Sequence, residues 1–120
     1  MNKKEIAVSF LEMAGSGNVR SAYDKFIAPD FIHHNQYFKG DRLSLLTAME
    51  EAHKTSPNKS IEVKKVYEDS NTVITHSLVV KESQCITVVH ILRFENNKVV
   101  ELWDLGQIIA KDSPNENGMF

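Results

Sequence analysis

The stretch VVELWDLGQII, residues 99–109, decides how this chain is read. Its β-branched and aromatic content predicts a strand, yet Asp104 sits in the middle of it. A carboxylate turned inward among Val, Leu, Trp and Ile loses its hydration, which is costly unless partners replace the water. The preceding run CITVVHILRFE, residues 85–95, reads as the neighbouring strand, with ENNK as the turn between them. Asn97 suits a left-handed turn position, and a three-residue loop at 96–98 with a bulge pairs Glu95 with Val99. That register sets Arg93 opposite Glu101, a favourable charge pair, and His90 opposite Asp104.

The same register sorts the two faces. Val88, Leu92, Phe94, Val100, Leu102 and Gly106 share a side with His90 and Asp104, and this apolar side is expected under the helices. Val89, Ile91, Arg93, Glu101, Trp103, Leu105 and Gln107 share the other. That second face is too apolar for plain solvent and carries charges at its edge, which suggests a subunit interface. Trp103, Leu105 and Ile91 are its expected anchors, and a homodimer follows.

One hairpin earlier, KESQC separates NTVITHSLVVKE from the 85–95 strand. A three-residue loop at 82–84 pairs Lys81 with Cys85 and brings His76 opposite His90, giving a row His76, His90, Asp104. A two-residue loop at 82–83 breaks the row, because a one-residue slip sends every side chain to the other face. Side chains on adjacent strands stand about 4.8 Å apart and roughly parallel. Two imidazoles and a carboxylate so arranged do not converge on one point, so no metal site is expected.

Before residue 54 the periodicity is helical. Ile6, Phe10, Met13 and Ala14 mark one helix, Val19, Ala22, Tyr23, Phe26 and Ile27 a second, and Leu45, Leu46, Met49 and His53 a third. Asn2 with Glu5, Asn18 and Asp41 are the expected caps, and His53 suits the C-terminal end of its helix dipole. PDFIHHNQYFKG, between the second and third helices, reads as a short strand and loop in which His33 points outward. Helices followed by IEVKKVYED and the later strands predict an α+β domain over residues 1–110, helices on one face of an antiparallel sheet, with residues 111–120 as a tail. Met119 and Phe120 end that tail and are expected to dock on the body or on a partner.

Composition excludes several classes. Apolar residues make up 42% and charged residues 25%, as in ordinary globular domains. Fourteen basic and sixteen acidic residues are interspersed and leave a net charge of −2, which offers no field for nucleic acid. The apolar runs are far shorter than the roughly 20 residues of a membrane span, and Glu5 and Glu12 interrupt any signal-peptide core. A cytoplasmic location is the default. The lone Cys85 forms no internal disulfide and reads as a buried structural thiol.

FIHHN at 31–35, VITHS at 73–77, VVELWD at 99–104 and the terminal SPNENGMF, taken with the order of elements, resemble the SnoaL-like polyketide cyclase group of the nuclear transport factor 2-like superfamily. They are similar to its bacterial subgroup labelled SnoaL-like aldol-condensation enzymes. The resemblance implies a cone with three N-terminal helices on a curved sheet around an apolar pocket. It also implies cofactor-free intramolecular aldol chemistry, with a strand-borne Asp as base and a His beside it. His90 and Asp104 match those positions; His34 and Asn35 match a His-Asn motif at the pocket mouth, and His76 matches a strand histidine of the subgroup. Leu102, two residues before Asp104, lines the same side. The expectation is a cyclase or isomerase acting on a small apolar carbonyl compound. A binder or scaffold of the same fold, holding a hydrophobic ligand unchanged, is the alternative.

Overall fold

Three helices cover one face of an open, curved five-stranded sheet in the computed structural model, which describes all of residues 1–120. Helix α1 spans Lys3–Gly15, α2 Val19–Phe26 and α3 Arg42–Thr55. Strand β1 (Ile27–His33) lies between α2 and α3, and β2 (Ser60–Asp69), β3 (Thr72–Val80), β4 (Cys85–Glu95) and β5 (Lys98–Ile108) follow. The sheet order is β1-β5-β4-β3-β2, with β1 parallel to β5 and the other pairs antiparallel. No helix is long and apolar enough to cross a membrane.

Helix starts follow the local chemistry. Asn2 accepts the Glu5 N–H while the Glu5 carboxylate accepts the Asn2 N–H, a reciprocal box that satisfies two free amides of α1. The Asp41 carboxylate accepts the Ser44 N–H at the start of α3. Asn18 precedes α2 but makes no side-chain cap, contrary to expectation. Its backbone has ψ 54° rather than the extended ψ of Asn2 and Asp41, so its side chain does not fold back over the first turn. Between α1 and α2, Gly17 has φ +103°, and a Cβ there would lie 2.4 Å from Nε2 of His53 on α3. Both the backbone conformation and the overlying imidazole therefore demand glycine.

The core joins both layers. Phe10 packs edge-on against Tyr23 with ring centroids 5.6 Å apart, and Tyr23 against Phe31 at 6.1 Å. Val73, Leu92, Phe94, Val99 and Leu102 meet them from the sheet. Fully burying an apolar side chain of this size contributes roughly 1.5–3 kcal/mol, so this junction dominates the holding of helices to sheet.

The β4–β5 turn is shorter than expected, yet the register beyond it is as expected. Asn96 and Asn97 both take positive φ, 50° and 61°, in a two-residue turn that pairs Glu95 with Lys98. The extra residue enters the strand instead: Phe94 pairs with Val99 and Arg93 with Glu101, which leaves Val100 as a bulge. His90 consequently faces Asp104. The bulge lets Val99 and Val100 both be buried.

At the β3–β4 hairpin the expected register is corrected. Residues 81–84 form a four-residue loop, closed by Lys81 N–H donating to the Gln84 carbonyl at 2.8 Å, and Val80 pairs with Cys85. Thr75, not His76, is therefore the residue opposite His90. His76 pairs with Val89 and shares the outer face, where its Nε2 lies 3.0 Å from the Thr87 hydroxyl and Phe120 stacks on its ring at 4.6 Å. Alternation did not choose between these registers, because both faces of β3 carry β-branched residues. Cys85 opens β4 and is half-buried rather than buried.

Candidate functional site

Strand register builds the site. On the inner face, Thr75 of β3, His90 of β4 and Asp104 of β5 stand in one row across the sheet. On the far side of β5, β1 runs parallel with His33 beside Leu102, and the His34 N–H donates to the Leu102 carbonyl at 2.9 Å. The next residue, Asn35, is thereby delivered to Asp104, and its Nδ2 donates to Oδ2 at 2.9 Å. His90 Nε2 lies 3.4 Å from Asp104 Oδ1.

Asn35 is held in a definite orientation. Its Oδ1 accepts the Tyr37 N–H at 3.0 Å, which leaves the amide Nδ2 to face the carboxylate. Its own N–H donates to Nδ1 of His33 at 3.0 Å, so Nε2 of neutral His33 carries the proton and donates to the Lys39 carbonyl at 2.7 Å. His33 thus ties both ends of the 34–39 loop. It is 5% exposed, which corrects the expectation that it points outward. Phe31, His33 and Asn35 follow the period-2 alternation of an inward strand face, a signal present in FIHHN itself.

Asp104 is subject to opposing effects. Burial pushes its carboxyl up; His90, by contact and by charge, and then the Asn35 amide push it down. The net position is below the ordinary carboxylate range, so Asp104 is ionised near neutrality. Nearby, burial pushes the Tyr23 phenol well above its usual range, with its hydroxyl 3.3 Å from Met49 Sδ.

Two cavities meet at this carboxylate. An inner slot of about 140 Å³ is walled by Phe10 and Leu11 of α1, Leu45, Ala48, Met49 and Ala52 of α3, Phe38, Leu102 and His90. An outer groove of about 560 Å³ runs between the loop residues His34, Asn35, Gln36 and Tyr37 and the strand residues Ile86, Val88, Leu105 and Gly106. Asn35 and Asp104 border both. Asp104, His90, Asn35 and Leu102 are therefore brought together.

His34 reaches only the groove, and its ring turns outward: it stacks on Trp103 at 4.7 Å and its Nε2 lies 2.6 Å from Glu101. His34 and Arg93 together hold the Glu101 carboxyl below its ordinary range. His76 borders neither cavity, since the β3–β4 register puts it behind the sheet. No group of three or more His, Cys, Asp and Glu side chains is placed to hold a metal ion. The polar wall is instead a carboxylate flanked by an imidazole and a carboxamide, suited to accepting a proton or orienting a polar ligand atom.

No family model matches the sequence, and no curated protein matches it. Solved structures do match in three dimensions. An NTF2-like protein of unknown function from Burkholderia xenovorans superposes with TM-score 0.75 at 17% identity, over 93% of this chain and 88% of that one. The fold is NTF2-like. Wild-type IdmH from Streptomyces antibioticus, assigned as a polyketide cyclase, gives TM-score 0.73 at 15% identity, over 89% and 93% of the two chains. A Kribbella flavida protein assigned as a ketosteroid isomerase gives 0.73 at 12% identity, over 98% and 87%. At these identities the likeness establishes the NTF2-like fold and leaves the chemistry to the site.

Proposed function

We propose that this NTF2-like protein is a cofactor-free enzyme that removes a proton α to the carbonyl of a small, largely apolar compound, as in aldol-type cyclisation or isomerisation. The observation that carries this reading is the Asp104 carboxylate, gripped by His90 and Asn35 where an apolar slot meets an open groove. The slot is close in size to the engineered cavity of about 150 Å³ that accepts benzene, so it has room for one ring or a short branched chain. The groove leaves space for a larger polar remainder.

In this reading Asp104 takes the α-proton and becomes a neutral acid, and the electron pair of the broken C–H bond passes to the carbonyl oxygen as an enolate. His90, no longer facing a charged carboxylate, turns its Nε2–H to that oxygen. The enolate carbon then attacks a second carbonyl carbon of the same molecule, reforming the first C=O while the π pair of the second passes to its oxygen, which takes up the proton from Asp104. In an isomerisation a different carbon of the enolate recovers that proton from Asp104 instead. Asn35 holds the carboxylate in place throughout. Supporting this assignment are the mutual distances and the apolar walls, which exclude water from the reacting end.

A second reading has an observation in its favour. Because Asp104 is held below the ordinary carboxylate range, it is a weaker base than a carboxylate left in an apolar cavity. The same geometry then serves a binder, with Asp104 accepting a hydrogen bond from an unreacted ligand. Deuterium exchange at the α-carbon of small ketones and 1,3-dicarbonyl compounds separates the two. An enzyme exchanges and Asp104→Asn stops it; a binder shows ligand contact without exchange, and the substitution alters affinity alone.

For partners, a second copy of the chain is assigned to the outer sheet face. Ile91 and Trp103 are half-buried there, while Leu105 stays 55% exposed in the single chain.

A further inference from the structure

Behind His90, on the side away from Asp104, the sheet holds a second polar feature. His90 Nδ1 is buried and has no hydrogen-bond partner. The residue directly opposite it on β3 is Thr75, which is completely buried and whose hydroxyl is also unpartnered. Two residues further along the same inner face, Ser77 is equally buried, with its hydroxyl unpartnered as well. Three orphaned polar atoms thus share one patch of the inner face.

Plain packing does not explain them. Val73 and Val79 flank the pair on the same face of β3, and valine has nearly the shape of threonine. A buried hydroxyl without a partner is destabilising, a penalty that a valine at position 75 would avoid. Directly opposed residues on antiparallel strands have Cβ atoms about 4.5–5.5 Å apart, and diagonal ones lie within reach of longer side chains. A single internal water, which typically makes about three hydrogen bonds to such groups, would satisfy all three atoms at once.

We propose that Thr75, backed by Ser77, is the positioning residue for His90, holding its Nδ1 through one internal water shared by the three side chains. The inference rests on His90 being the functional partner of Asp104, and it adds what fixes that partner. With Nε2–H directed at Asp104, neutral His90 presents Nδ1 as an acceptor, so the water donates to it. When His90 is protonated, Nδ1–H donates and the water accepts. Hydroxyl groups and water reverse their roles by rotation alone, so the bridge fits both states of the imidazole, which a carbonyl or an amide in the same place would not. The ring can then change its protonation without being released from its orientation.

The test is ¹⁵N NMR of His90 in the whole protein, in alkaline buffer where the neutral ring is observed. No substrate is needed, so the outcome stands even if no α-proton exchange is found. Thr75→Val is expected to move the Nδ1 resonance downfield, as for an acceptor nitrogen that has lost its hydrogen bond. Thr75→Ser should keep it near the wild-type position, and Ser77→Ala should move it part of the way. Identical Nδ1 resonances in the wild type and Thr75→Val would overturn the proposal. If Thr75→Val does not fold, an unmoved Nδ1 in Ser77→Ala overturns it instead. So would a wild-type spectrum in which Nδ1, rather than Nε2, carries the proton.

Discussion

Opposing effects meet at Asp104, and the downward ones prevail. Burial raises its carboxyl, and His90 is the largest of the groups that bring it back down. In His90→Gln the opposition is left mainly to Asn35, so the carboxyl moves upward, which ¹³C NMR of the Asp104 side chain detects directly. The sign for stability follows from linkage. A carboxyl depressed in the folded state stabilises fully above its unfolded value, roughly 3.9, and that contribution fades as pH falls through the folded value. The stability gap between wild type and His90→Gln is therefore widest near neutrality and narrows in acid, as urea unfolding across pH would report. How much was legible at this scale differs from residue to residue. Asp104 and His90 were readable because the Arg93–Glu101 pair anchored their register, and those two side chains do bond at 3.0 Å. His33 was assigned to the wrong side because the His-Asn motif outweighed the simple alternation that starts at Phe31.

Turns decided what was readable among the elements. The paired asparagines at 96–97 announced a tight hairpin, and the bulge at Val100 restored the register that a longer loop would have produced. KESQ carried no comparable signal. Each of its residues tolerates a loop, and β3 places Ile74 and Leu78 outside while Thr75 and Ser77 lie inside, the reverse of a simple amphipathic strand. The hydroxyls that belong to the site were thus hidden by an unreadable register. The α1–α2 turn gives the clearest test of an element. Gly17→Ala must adopt φ +103° and displace the His53 imidazole, so it is expected to destabilise by more than about 1 kcal/mol in thermal or urea unfolding. His53→Ala in the same background should recover the steric part and leave the backbone part.

Across the whole molecule, the helices close one face of the sheet and leave the other open. The outer face carries a charged network, with Glu101 bridging His34 and Arg93, beside apolar Trp103 and Leu105. Phe120 covers only the His76 end, with Lys64 5.7 Å from its ring centroid. Sedimentation at micromolar concentration is expected to give the mass of a dimer, and Trp103→Glu that of a monomer; a monomeric wild type would contradict this assignment. The fold class was legible throughout, because helical and strand periods occupy separate halves of the chain. The candidate site draws on four side chains from the loop after β1, β3, β4 and β5, which the fold brings together.

The central claim is that Asp104 acts on the ligand as a base, and the most direct measurement is α-deuterium exchange into small carbonyl compounds by wild type and Asp104→Asn. Exchange by the wild type is expected to fall at least about a hundredfold in the variant, the usual scale of a lost general base. Equal exchange rates in the two proteins would contradict it.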